Sequence, residues 1–232
     1  MHQRLEEGES PVDLMHANDA AAVTFRENGR DQKYLFVTKC ESKKDCSIVK
    51  LAVDDDAREY RFVAEYSVRE SVSGISLMSG GGTQPAVFLL NAGNRFFRAT
   101  IANNLILGTD QYLPISWQFS ISTNYPQLYS AINTPQGIHY EPANGSLYLP
   151  FFANPDRDTY QGSFTSVIRR YDNVSTATGT ISEDVIYEFT QSPYFEIEGV
   201  GFRLGESDRR LWFNTYDDYV NGGIYIDTSI IK

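Results

Sequence analysis

The chain has 232 residues and a formal net charge of −10, and aromatic residues make up 13% of it. This length allows one large domain or two small ones, with enough buried surface for a real core. The aromatic content argues against disorder, and the acidic balance argues against a general nucleic-acid binder, which needs a basic footprint. No apolar run approaches the roughly 20 residues of a membrane span, so no membrane insertion is expected. Met1 to Ser10 is polar and acidic and carries no signal-peptide pattern.

In chain order, residues 1–12 read as a polar N-terminal segment, and Met1–Pro11 makes a poor strand because it is charged and lacks alternation. Beyond it, β-branched and aromatic runs predict strands at Tyr34–Lys39, Ile48–Val53, Tyr60–Tyr66, Ala86–Leu90 and Trp117–Ile121. Further runs lie at Leu147–Phe152, Val167–Tyr171, Val185–Phe189, Leu211–Asn214 and Gly223–Thr228. Asn144-Gly145, between Tyr140 and Tyr148, predicts a two-residue hairpin. Gly80-Gly81-Gly82 and Gly222-Gly223 punctuate other strands. Val12–Ala22 and Gln111–Ile115 come nearest to helices, and neither sustains a 3.6-residue period. The expected fold class is all-β.

A short pattern recurs four times: Asp19-Ala-Ala-Ala-Val23, Ser73-Gly-Ile-Ser-Leu77, Gln136-Gly-Ile-His-Tyr140 and Glu198-Gly-Val-Gly-Phe202. The intervals are 54, 63 and 62 residues. After each copy comes an apolar strand, then a loop, then a third strand (Ser47–Lys50, Arg95–Arg98, Ser166–Arg169 and Gly223–Ile226). Four units follow, at about 13–70, 71–130, 131–195 and 196–232.

Repeats of this length with four strands each resemble the blades of a β-propeller. The similarity is loosest at the motif level, with no WD dipeptide and no kelch glycine pair. It is nearest to bacterial propellers with an x-Gly-Ile-x-aromatic first strand. The resemblance implies a single propeller domain over 13–232 with about four antiparallel four-stranded blades. The last unit ends after its third strand. Two readings stay open: a compact propeller with an incomplete last blade, or part of a larger propeller that needs a partner chain.

If the resemblance holds, the first strand of each blade lines a channel, and the pattern's polar residues stand around its mouth. Asp19, Ser73, Gln136 and Glu198 then mark a candidate ligand site, with His16, Asn18, Tyr125, Tyr194 and Glu196 beside them. Loop acids Asp156, Asp158, Asp217 and Asp218 add to an acidic, aromatic rim suited to a partner protein, a sugar or a cation. Gluconolactonase-like propellers, a more distant similarity, hold a central divalent metal with Glu, Asn and Asp. Asn18, Asp19 and Glu198 could imitate that set, with calcium as the possible ion, in a metal-dependent hydrolase or lactonase. The competing reading of Asn18 and Asp19 is an Asx-turn at the start of the blade.

Enzyme signatures are otherwise absent: there is no G-x-S-x-G, no phosphate-binding glycine loop and no H-E-x-x-H. The expectation is therefore a non-enzymatic binding module with no resident cofactor. His139 is expected to pack or to face a neighbouring blade, and Trp117 and Trp212 to lie in the core or between blades. Cys40 and Cys46 bracket a five-residue hairpin loop, within reach of a disulfide. A bridge would favour an extracellular or cell-surface location, and a pair of free thiols a cytoplasmic one.

Overall fold

The structure is a computed structural model. It describes residues 2–3, 13–14, 16–42, 45–108, 110–122, 137–153, 164–191, 196–202, 211–216 and 224–226. The protein is all-β among these residues, without a helix. Its strands form four sheets.

The first sheet has the order β1-β5-β4-β3-β2, with β1 His2–Gln3, β2 His16–Glu27, β3 Arg30–Ser42, β4 Asp45–Asp54 and β5 Glu59–Val68. The second adds β6 Gly74–Gly81, β7 Gln84–Ala92, β8 Arg95–Ile101, β9 Ile115–Ile121 and β13 Thr180–Ile181, in the order β13-β9-β8-β7-β6. The third is β10 His139–Glu141, β11 Ser146–Ala153, β12 Phe164–Tyr171 and β14 Val185–Gln191. The fourth is β15 Glu196–Phe202, β16 Leu211–Tyr216 and β17 Ile224–Ile226. Each sheet is a meander that starts at an edge with β2, β6, β10 or β15. Two short strands join the opposite edges in parallel: β1 along β5, and β13 along β9. Of the N-terminal segment read as a poor strand, His2 and Gln3 pair with Glu59 and Tyr60, because two backbone units suffice to extend an existing edge.

The chain divides into two compact units. One comprises Met1–Ala92 and Phe96–Trp117, the other Gly93–Arg95 and Gln118–Lys232. In the first, period-two alternation builds the core. Ala21, Val23 and Phe25 of β2 are buried, while Ala20, Ala22, Thr24 and Arg26 between them are exposed. Their face joins Phe36, Ile48, Phe88, Leu90 and Ile101 in one cluster, with the Phe36 and Phe88 rings 4.7 Å apart. Burying each such ring contributes about 1.5–3 kcal/mol. The other face of the same sheet carries a second cluster of Val37, Val49 and Leu51. In the second unit, Tyr148 and Ile168 of the third sheet pack on Ile197 and Leu211 of the fourth.

Turn chemistry departs from the sequence reading twice. Asn28 (φ 49°) and Gly29 (φ 80°) form the two-residue hairpin, joining β2 to β3 with Glu27 paired to Arg30. Asn144-Gly145 instead ends a four-residue loop between Glu141 and Ser146, with Gly145 at φ 71° and its N–H on the Glu141 carbonyl at 2.9 Å. Trp117 is 52% exposed and so is not a core residue. It stands on β9 next to exposed Ser116, where alternation breaks.

Cys40 and Cys46 are directly opposed on β3 and β4 and form a disulfide, with Cα atoms 4.2 Å apart. Closing so short a loop removes little unfolded-state entropy, so the Cys40→Ser, Cys46→Ser double variant is expected to lose about 2 kcal/mol. Urea unfolding without reductant checks this. An unchanged midpoint would mean that the bridge adds nothing to stability.

Candidate functional site

The start of β2 is bulged. Ala17 pairs with Lys39 and Asp19 with Thr38, which leaves Asn18 as the extra residue. The fourth sheet repeats this: Ile197 pairs with Thr215 and Gly199 with Asn214, leaving Glu198 extra. In the second sheet Gly74 pairs with Asn91. By register within its own sheet, Asn18, not Asp19, holds the place that Ser73 and Glu198 hold in theirs. This corrects the sequence alignment of the first unit by one residue. A bulge is invisible to spacing, because it adds a residue without changing residue types.

Asp19 has its own use in the fold. Its Oδ1 accepts the Ala20 N–H at 2.9 Å, and its Oδ2 accepts the N–H of Ile75, the second residue of β6, at 3.0 Å. Behind it, buried Thr38 accepts the Asp19 N–H on Oγ1 at 3.1 Å, and that oxygen lies 3.5 Å from the Ser73 carbonyl. The Ser73 hydroxyl bonds to Oδ1 of buried Asn91 at 2.8 Å. This polar seam fastens the start of β2 to the start of β6. At their far ends the same strands join directly: Gly82 donates to the Thr24 carbonyl and accepts from the Arg26 N–H, both at 2.8 Å. Both Asp19 oxygens thus hold backbone donors, an arrangement that orients a carboxylate rather than offering a base. Asp19→Ala is expected to cost about 2 kcal/mol by leaving the buried Ile75 N–H without its acceptor. Chemical denaturation reads the loss, and a cost below 0.5 kcal/mol would deny the seam its role.

Thr38 and Asn91 were not singled out in the sequence. The signal was present, because a polar residue closes the apolar run in Phe36-Val37-Thr38, Leu89-Leu90-Asn91 and Trp212-Phe213-Asn214. Of the other predicted site residues, Gln136 and Tyr194 lie outside the described residues, as do Tyr125, Asp156, Asp158, Asp217 and Asp218. His16, Asn18, Glu196 and Glu198 are placed on β2 and β15 by their backbone. Among the described residues no group of three or more His, Cys, Asp or Glu is arranged to hold a metal ion.

His139 stands on β10, with Nε2 3.7 Å from Glu141 Oε2. A Cβ at Gly201 of β15 would lie 3.7 Å from its Nδ1, so the imidazole packs on the neighbouring sheet. Burial pushes its pKa down, and Glu141 opposes the shift.

A second polar cluster lies inside the first unit. Alternation along β4 puts Lys50 on the core face with Cys46 and Ile48, and it is 1% exposed. Its Nζ donates to the Asn103 carbonyl at 2.6 Å and to Asn103 Oδ1 at 2.7 Å. The ammonium stands 4.0 Å from the Tyr34 ring centroid and 5.4 Å from that of Phe25. Asn103 Nδ2 donates to Glu27 Oε1 at 2.6 Å, and Tyr34 O–H donates to the same oxygen. Burial lowers the Lys50 pKa against the pull of Glu27. The hydrogen bonds from Tyr34 and then Asn103 lower that of Glu27. Burial, then the Glu27 bond, raises that of Tyr34. Every polar group here has a protein partner, so the cluster ties the segment after β8 to the first sheet. No protein-family model matches the chain, and none of the curated proteins is similar to it.

Proposed function

We propose that the four meanders are blades of a β-propeller, and that the chain is a non-enzymatic module that binds a basic partner protein through acidic residues at the starts of its blades' first strands. One observation carries this reading: every sheet starts at its own edge strand and meanders away from it in chain order, and the first two of these strands run in parallel, fastened at both ends. A propeller predicts this arrangement of inner strands. The use of both Asp19 oxygens by backbone donors gives that residue a structural role and leaves the ligand to other acidic side chains. The net charge of −10 and the acidic residues Glu196 and Glu198 at the start of β15 favour a cationic partner. The Cys40–Cys46 bridge supports an oxidising, extracellular setting.

The test is calorimetric titration of the protein with a lysine-rich peptide, a neutral oligosaccharide and Ca²⁺. The peptide is expected to bind, more weakly in high salt, and Glu198→Gln is expected to weaken it further. Salt-independent binding of the sugar alone would move the reading to a lectin. Metal-dependent lactone or ester hydrolysis that Glu198→Gln abolishes would overturn it.

A further inference from the structure

The connection from β8 to β9 is long, and its described residues are fastened at several points. Asn103 is held by Lys50 and Glu27, and the Leu105 carbonyl accepts the Tyr66 hydroxyl at 3.2 Å. Gly108 and Gln111 exchange two bonds at 3.0 Å, and Leu113 N–H reaches the Ser67 carbonyl at 2.8 Å. Between these pins the segment displays apolar surface: Ile106 is 88% exposed and Tyr112 47%. Beside it lies an open cleft of about 610 Å³, walled by Leu107, Leu113, Pro114 and Ile115. Arg69, just past the end of β5, stands over Tyr112 with its guanidinium carbon 4.8 Å from the ring centroid. Among the described residues Arg69 has no hydrogen-bond acceptor and no ion pair. A guanidinium held over a ring by a cation–π contact still has N–H groups to offer a carboxylate.

We propose that this cleft docks a short extended peptide of a partner protein, with one acidic side chain on Arg69 and an apolar side chain against the Leu107–Pro114 wall. Charge complementarity selects the occupant. Among the described lining residues Arg69 is the one cation, and its N–H donors, without an acceptor among the described residues, match a carboxylate. Asp110 also lines the cleft and disfavours a second carboxylate. Arg and Tyr are the side chains that most often dominate binding energy at interfaces. A segment pinned in advance loses little freedom on docking, which favours affinity.

The experiment titrates the ¹⁵N-labelled full chain with acetyl-Gly-Leu-Glu-Leu-Gly-amide and follows amide shifts. Saturable shifts in residues 105–115 are expected, with the Leu-Gln-Leu peptide binding about tenfold more weakly. Arg69→Gln should weaken binding without moving the melting temperature. Asp110→Asn should strengthen it, and Glu198→Gln should leave it unchanged. Equal binding of the Gln peptide, full binding by Arg69→Gln, no shifts at all, or the same shifts from acetate alone would overturn the proposal.

Discussion

Lys50→Ala is expected to destabilise the protein by about 3–4 kcal/mol, one of the two largest effects predicted here. The substitution removes a buried aliphatic stem, and it takes the donor from two acceptors on Asn103. Glu27 also loses the cation that lies near it. Lys50→Met keeps most of the stem and abolishes the cost of burying the ammonium, so a loss of only about 1–2 kcal/mol is expected. Urea unfolding of the three proteins checks the order. Equal losses for Ala and Met would show that the charge, not the stem, matters.

The pH dependence follows from the same cluster. Burial lowers the Lys50 pKa, so between that lowered value and the ordinary lysine value of 10.5 the unfolded chain binds more protons than the native one. Stability of the wild type should therefore rise with pH through this window relative to Lys50→Met. At the acid end the sign reverses its source. Glu27 is held below its ordinary value of 4.5, so its contribution is full above that value and is lost as pH falls through the lowered one. Glu27→Gln should flatten that acid limb, and a limb of unchanged slope would place the acid sensitivity elsewhere.

Gly80→Ala is expected to cost about 3 kcal/mol or more, enough to threaten folding of the β6–β7 pair. Gly80 has φ 94°, and a Cβ there would fall 2.0 Å from the Pro85 carbonyl oxygen and 2.9 Å from Ala86 Cα. Both obstacles are backbone, so neither can rotate away. It lies at a bulge, between the pairing of Ser79 with Val87 and that of Gly81 with Gln84. Gly29 provides the control. Its φ of 80° is similar, but a Cβ would meet nothing within 4 Å. Gly29→Ala should cost about 1 kcal/mol, the conformational strain alone. Thermal or urea denaturation separates the two, and equal costs would mean that the steric contact at Gly80 is relieved by relaxation.

The strands were legible because their signal is local. The apolar runs around Phe36 and Phe88 need no distant partner to be read, whereas the stretch Val12–Ala22, nearest to a helix in the sequence, lies largely in strand β2, whose alternation shows only from Ala21 onward at Val23 and Phe25. The cysteine pair was legible for the same reason, since six positions separate Cys40 from Cys46. Asn28-Gly29 forms the two-residue hairpin, whereas the same dipeptide at Asn144-Gly145 ends a four-residue loop, so the pair alone does not fix the loop length.

Residue types and their period were enough for an all-β chain and for strands near their observed places, because a pleated strand sorts its side chains by neighbours two positions away. Partners across the fold were a different matter. Lys50 reads as a solvated lysine until β4 is laid against a segment 53 residues on, where Asn103 meets it. Asp19 reads as a metal ligand or a turn residue until Ile75, 56 residues away, presents its N–H. The bulges at Asn18 and Glu198 shift register by one, and no residue type announces them. Burial, hydrogen-bond partners and register depend on which strands meet, and that is set by packing over the whole unit rather than by any short stretch of chain.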